Sequence, residues 1–312
     1  MRAVVDIGSN SIKFAIDRNP ENALRELETR SWVTRLGRQM GQTGLLSIES
    51  LADSARALEE ISSRFTEIGL SSSQVRAFAT AAVRECKNPE TIQELVQKSL
   101  GVELKILTGI EEAQYSMIGA RAASDLLLKG QPRLFVDVGG ASTEVGVMEP
   151  QIMAHSFPAG AVRCHESLGM NQMPLSDEVW RAAQSKLRAV FDIDWSRQIH
   201  QWGPHVKVTA VAVGGSLLIA AKAVDAKTVG DFGYLLQSQT LKSFNEILRK
   251  LSLQERLQIP HMDPKRADIL VSGLLCLTSV LDRFEIDNVF ITSWGLRHGI
   301  LKSSEFWNRA VP

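Results

Sequence analysis

Cysteine is scarce and unpatterned. Cys86, Cys164 and Cys276 are the three in 312 residues, widely spaced, odd in number and without a CxxC pair. That usage excludes a disulfide framework and offers no thiolate zinc site, and it fits a reducing compartment, the cytoplasm. Net charge is lacking too: 35 basic residues balance 35 acidic ones. No global basic field exists to hold a nucleic-acid polymer, so any anion site must be built locally. Long apolar runs are missing. The longest, "ILVSGLLCLTSVL" at 269–281, is 13 residues between charges, short of the roughly 20 that cross a bilayer. A strand pattern begins at residue 2, so neither a membrane anchor nor a signal peptide is expected. The six histidines show no metal-ligand spacing. His261 and His298 read as turn or surface residues, and no Ser/His/Asp set can be placed.

What is present is an apolar fraction of 44%, enough length for two domains of about 100 to 200 residues each, and a repeat. Alternation and β-branched residues predict strands at 2–7, 12–16 and 23–33, a β-meander. An amphipathic helix follows over 47–68, with Ser50 and Asp53 as its capping box, then strands at 75–80 and 102–109 around another helix. The second half runs in the same order: strands at 133–138, 143–149 and 151–158, a helix from 177 to about 191 capped by Ser176, and strands at 206–213 and 287–292. Two βββαβαβ units result. The junction falls near 122–133 without a proline-rich linker, so the expected domains are 1–123 and 124–299, with a last helix of about 300–312 returning to the first. Two such α/β lobes joined by few crossings create a cleft.

The repeat is sharpest at two loops. "VVDIGSNS" at 4–11 ends a strand at Asp6 and continues with Gly8, Ser9, Asn10 and Ser11; "FVDVGGASTEVGV" at 135–147 ends one at Asp137 and continues with Gly139, Gly140, Ala141, Ser142 and Thr143. Small residues after a strand let the backbone turn its N–H groups outward, a nest that binds anions. Each loop alone also fits a tight hairpin whose glycines supply positive φ. Asp137 and Glu144 flank the second loop, in a spacing suited to Mg²⁺ or Mn²⁺ held against phosphate oxygens. In "LTGIEEAQYS" at 107–116, Thr108 and Glu111 match the capping box T-x-x-E, which leaves Glu112 without a structural task. It is either an ornament at the positive end of a helix or a general base at the cleft. Thr80 ends a strand and Arg84 lies one turn into the next helix; Arg35 and Arg38 surround Gly37, and Arg297 stands between two glycines. Arginine suits phosphate because its planar fork matches two oxygens. Finally, Gly214, Gly215 and Ser216 join a strand to a helix, so they form either a packing turn or a phosphate cradle at the helix start.

Taken in order, "DIGSNS", "RLGR", "ATAAVR", "GIEEAQ", "DVGGASTE", "AVGGS", "RADILVSG" and "GLRHG" resemble the exopolyphosphatase / guanosine pentaphosphate phosphatase (Ppx/GppA) family, in its short two-domain form, of the actin-like, Hsp70-like, sugar-kinase superfamily. The resemblance runs through the whole chain. It implies an α/β, duplicated ribonuclease-H-like (actin-like ATPase) fold, each lobe a five-stranded mixed sheet flanked by helices, with the active site in the cleft. It also implies Glu112 as the base that orients water, Arg84 as a clamp on the phosphate chain, and Asp137 and Glu144 as magnesium-linked carboxylates. Ser9, Asn10, Ser11, Gly139, Gly140, Ser142 and Thr143 would hold successive phosphates from opposite lobes. One departure stands out: Ala141 occupies the place of the family's third glycine, which strains the loop if that backbone needs positive φ.

The activity expected is metal-dependent release of terminal orthophosphate from inorganic polyphosphate, short chains favoured, or from a guanosine pentaphosphate-type nucleotide. Two rivals use the same residues. One is an ATP-dependent sugar or acyl kinase with adenosine at 214–216; the other is a polyphosphate or alarmone sensor without turnover. The partner expected is a small anionic substrate, with no nucleic-acid polymer and no membrane. The residues leave the oligomeric state open, a homodimer included.

Overall fold

The computed structural model describes residues 1–18, 27–128, 130–147, 153–193, 207–230 and 233–308. The parts of the expected elements at 23–26, 148–149, 151–152, 206 and 309–312 lie outside the described residues. The chain divides into two compact units, one of Met1–Gly119 with Leu296 onward, the other of Ala120–Gly295.

The first unit is built on one sheet of β1 (Arg2–Ile7), β2 (Ser11–Asp17), β3 (Leu27–Val33), β4 (Val75–Ala79) and β5 (Leu104–Ile106), in the order β3-β2-β1-β4-β5. The meander β1–β2–β3 is antiparallel, whereas β4 and β5 add in parallel. Because β1 is central, both of its faces are covered, so it reads as a continuous apolar run broken by a buried Asp6. Helices α1 (Met40–Thr43), α2 (Ile48–Glu67), α3 (Ala81–Glu85), α4 (Pro89–Leu100) and α5 (Gly109–Leu128) follow in chain order. The apolar stripe of α2, Ala57, Leu58, Ile61 and Phe65, belongs to the same core as Ile7, Ile12 and Phe14.

The cap of α2 differs from expectation. Ser47, not Ser50, is the N-cap, its side chain accepting from Ser50 N at 3.2 Å. Ser50 is buried and donates back to Ser47 O, and Asp53 pairs with Arg56 instead. Ser50 thus faces the core, and the helix begins before it.

The second unit repeats the first sheet and extends it. Its strands are β6 (Arg133–Val138), β7 (Thr143–Val147), β8 (Met153–Phe157), β9 (Thr209–Val213), β10 (Lys227–Val229), β11 (Gly233–Gln237) and β12 (Asn288–Thr292), in the order β10-β11-β12-β9-β6-β7-β8. Reversed, the run β8-β7-β6-β9-β12 reproduces β3-β2-β1-β4-β5. Beyond the five strands expected, β10 and β11 add two antiparallel strands at one edge. They left little trace in the sequence. β10 is three residues long with Lys227 and Thr228 exposed, the short charged edge that resists further pairing. In β11 Gly233 is needed because a Cβ would lie 2.2 Å from Ile291 O.

Helices α6 (Ala161–Ser167), α7 (Asp177–Val190), α8 (Gly215–Ala223), α9 (Ser238–Leu248), α10 (Leu253–Arg256) and α11 (Leu270–Arg283) complete this unit. Ser176 caps α7 as expected, accepting from Val179 N at 3.2 Å. The apolar run at 269–281 becomes α11, buried on every side from Leu270 to Leu281. Among the described residues no helix is long and apolar enough to cross a membrane.

Two terminal helices, α12 (Leu296–Lys302) and α13 (Ser304–Asn308), pack on the first unit. Gly299 permits the approach, since a Cβ there would fall 1.7 Å from Tyr115 O. This close crossing corrects the surface reading of His298, which is buried at 4% exposure. Burial, with Arg297 and Lys302 nearby, pushes its imidazole well below the ordinary histidine range. His261 does sit in a turn, at φ 64°. Phe306 stacks edgewise on Phe78 and Tyr115, and the ring of Trp307 lies near the guanidinium groups of both Arg2 and Arg76.

Candidate active site

The two repeated loops share one hydrogen-bonding plan. In the first, Gly8 N donates to Ser11 O at 3.1 Å; in the second, Gly139 N donates to Ser142 O at 2.9 Å. A Cβ on Gly8 or on Gly139 would stand 3.0 Å from that same carbonyl. Close approach is therefore what calls for glycine, because none of Gly8, Gly139, Gly140 and Ala141 has a positive φ. Ala141 fits without strain, which removes the difficulty raised by the missing third glycine.

Both loops also turn their carbonyl oxygens inward. Ser9 O accepts from Gly37 N at 2.7 Å, and Asn10 O accepts from Thr34 N and Arg35 N, each at 3.1 Å. In the second unit the N-terminus of α6 does this work: Ala161 N donates to Gly139 O, Val162 N and Arg163 N to Gly140 O, and Arg163 Nε to Ala141 O at 2.8 Å. Thr143 Oγ1 is tied to Ala159 O. The N–H groups of Ser9, Asn10, Gly140, Ala141 and Ser142, by contrast, donate to no group among the described residues. Donors without competing acceptors make a nest for an anion. In the first loop the amide Nδ2 of Asn10 and the hydroxyl of Thr34 are buried and unpartnered as well, each at a cost of about 1–3 kcal/mol that a bound oxyanion within reach would remove.

Around the first loop, Thr80 follows β4 as the N-cap of α3, its N–H directed at Ile7 O at 3.4 Å. Arg84, in α3, places Nη1 2.7 Å from Leu107 O and 3.1 Å from Glu112 Oε2. Glu112 is buried in the first turn of α5. Its neighbour Glu111 closes the expected capping box, accepting from Thr108 N at 2.9 Å while Glu111 N donates to Thr108 Oγ1 at 3.2 Å. Burial alone would raise the Glu111 carboxyl, but the Thr108 N–H and Lys105 hold it below its ordinary range. The two adjacent glutamates thus have separate surroundings. Arg297 is half-buried near Asp6 and donates to Phe14 O at 3.0 Å. Burial pushes Asp6 upward, against the pull of Lys13 and Arg297. Arg35 lies at φ 48° in the segment that braces the loop, and Arg38 is exposed.

In the second unit, Asp137 and Glu144 are direct partners across β6 and β7. Glu144 is buried, its Oε1 accepting from Ser156 Oγ at 2.7 Å. Gly214 (φ 152°) and Gly215 turn β9 into α8, and Ser216 is buried in the first turn. Sequence reasoning missed two residues here. A Cβ on Gly160 would lie 2.6 Å from the backbone of Gly140 and from Ser142 N, so this glycine lets the backbone of the second loop pack against α6. Arg266, in the quoted motif "RADILVSG" but given no role, lies so close to the glycine turn that a Cβ on Gly215 would be 2.6 Å from its Nη1. Only an arginine inside a motif hinted at the second; nothing local marked the first.

The family model described as "Ppx/GppA phosphatase family" matches residues 15–306. A guanosine-5'-triphosphate,3'-diphosphate pyrophosphatase of Pseudoalteromonas atlantica is 26% identical over 96% of this chain, which spans 57% of that protein's length. Exopolyphosphatase 1 of Mycobacterium bovis is 24% identical, the match covering 96% of this chain and 86% of that one. The crystal structure of an exopolyphosphatase from Cytophaga hutchinsonii has a TM-score of 0.79 at 20% identity, covering 96% of both chains.

Proposed function

The chain belongs to the Ppx/GppA phosphatase family, and from that premise we propose that it is a divalent-metal-dependent phosphohydrolase releasing terminal orthophosphate from short inorganic polyphosphate, and more weakly from guanosine pentaphosphate. One observation carries the proposal: two loops 131 positions apart engage their carbonyl groups and leave their N–H groups to an anion. A substrate with successive phosphates suits a repeated anion nest.

Chemistry in such a reaction is mostly positioning and neutralisation of charge. Glu112 takes the proton from the attacking water as its oxygen bonds to the terminal phosphorus, and the phosphoanhydride oxygen leaves with the rest of the chain. Arg84, fixed between Leu107 O and Glu112, orients that carboxylate. Arg266, beside Gly215, supplies charge at the glycine turn. Asp137 and Glu144 fit a hard divalent cation, because they set two oxygen-donor carboxylates directly opposite one another across β6 and β7. Among the described residues no three His, Cys, Asp or Glu side chains cluster as a metal cage, which suits Mg²⁺, an ion commonly held by one or two carboxylates with water and substrate phosphates. Held by Asp137 and Glu144, Mg²⁺ would supply neutralisation of the charge that develops on the phosphate oxygens.

Hydrolysis in ¹⁸O-labelled water tests the proposal against phosphotransfer. Orthophosphate released from tripolyphosphate should carry one solvent oxygen, with no acceptor added. Conversion of tripolyphosphate to pyrophosphate that requires an added alcohol or carboxylate, with the terminal phosphoryl group recovered on that acceptor and no labelled orthophosphate formed, would turn the assignment to a kinase.

A further inference from the structure

Helix α13 is five residues long, too short to be stable by itself, so its place is set by what it touches. Cations from three successive strands of the first sheet hold its two aromatic rings. The guanidinium groups of Arg2 in β1 and Arg76 in β4 lie 5.2 and 5.1 Å from the centre of the Trp307 ring, and Lys105 Nζ in β5 lies 5.1 Å from that of Phe306. At such distances a cation is attracted by an aromatic face. Hydrogen bonds fix the backbone as well: Phe306 N donates to Ser303 Oγ at 3.2 Å, and Trp307 Nε1 to Ile300 O at 3.0 Å. Phe306 itself is buried, edge-on to Phe78 of β4 at 6.4 Å and to Tyr115 of α5 at 5.4 Å. The Lys105 ammonium that it carries also reaches Glu111 Oε1 at 2.9 Å, and Glu111 closes the capping box on Thr108. Phe306 thus holds the start of α5 twice, directly at Tyr115 and through Lys105 at Glu111. Glu112 lies between those two points in the chain.

We infer that Phe306 is a positioning residue for Glu112, and that α13 is the element that sets the first turn of α5 for catalysis. From that turn Glu112 Oε2 meets Arg84 Nη1 at 3.1 Å, a contact that a small shift of the helix would break. Misplacement of a reacting group by about 1 Å costs up to about 10²-fold in rate. The first loop is braced separately, by the N–H groups of Thr34, Arg35 and Gly37, so the loss falls on turnover rather than on substrate affinity. The inference rests on the role proposed above for Glu112.

The test compares kcat and KM for tripolyphosphate in Mg²⁺, well below the melting temperature of each variant. Phe306→Leu is set beside Phe65→Leu, a similarly buried phenylalanine of the same unit that packs on Phe14. Phe306→Leu should turn over roughly 10- to 100-fold more slowly with KM near wild type, whereas Phe65→Leu should lose stability and keep the wild-type kcat. Added to Glu112→Gln, Phe306→Leu should slow turnover no further, because a residue that acts through another has no effect once that other is gone. If Phe306→Leu does not fold, Lys105→Met, which removes the ammonium between the ring and Glu111, takes its place in the same comparisons. An unchanged kcat in Phe306→Leu, an equal fall in Phe65→Leu, or a further fall in the double variant overturns the inference. Wild-type turnover by Glu112→Gln alone overturns the role of Glu112, and the positioning role with it.

Discussion

Arg84 illustrates how a single side chain changes meaning once its partners are known. As a motif residue it reads as a phosphate clamp, but Nη1 is engaged by Leu107 O and Glu112, so its first effect is to hold the Glu112 carboxylate. Arg84→Lys should therefore lower kcat more than it raises KM, since a single ammonium cannot bridge both acceptors with the same geometry; a change confined to KM would return it to the clamp role. Glu111 makes a second case. Its carboxyl is held low in the fold, so the stabilisation it gives is present above the unfolded glutamate range, near pH 4.3, and is lost as pH falls through the folded value. Glu111→Gln should lower stability by about 1 kcal/mol at neutral pH, with a melting-temperature gap from wild type that closes below about pH 4. A gap independent of pH would show that the charge contributes nothing. At this scale the T-x-x-E spacing made Glu111 and Glu112 separable in the sequence. The engagement of Arg84 and the burial of His298 were not legible, because each depends on an element distant along the chain.

Among the elements, the two hairpins carry most of the proposal, and their backbone tolerances differ sharply. Gly160→Ala would press a methyl group to 2.6 Å from Gly140 and Ser142 N, backbone atoms that cannot move aside cheaply. Overpacking of this kind costs about 1–3 kcal/mol, and it should weaken tripolyphosphate binding by covering one of the N–H groups left to an anion. Gly41→Ala, in α1 with nothing within 4 Å, serves as the control and should leave binding and stability near wild type. Equal binding in the two variants, measured by calorimetry, would separate the packing of α6 from the nest. The hairpins were legible because both follow an aspartate and recur at one spacing. Gly160 was not, since its requirement arises from chain that folds back 20 residues later. Nor were β10, only three residues long and polar at the edge, and β11, whose sequence GYLLQ does not alternate.

For the whole molecule, the balance of 35 basic and 35 acidic residues limits how a polyanion is held. Without a net positive field to steer a long polymer, the proposed reading draws affinity from the loops and a few arginines that would read several phosphates. Initial rates per chain end should be highest for short polyphosphate and should fall with rising ionic strength through screening. A rate that climbs out to hundreds of phosphates, without free intermediates, would refute the preference and leave hydrolysis intact. The duplicated architecture was legible at this scale from the 131-position repeat alone. The most direct measurement is orthophosphate release from tripolyphosphate in Mg²⁺ by wild type and by Glu112→Gln, with substrate affinity measured separately. Glu112→Gln should bind as wild type does and turn over roughly 10²–10⁴-fold more slowly; release at the wild-type rate by the variant, or none by the wild type, would contradict the assignment of Glu112 as the base of a phosphohydrolase.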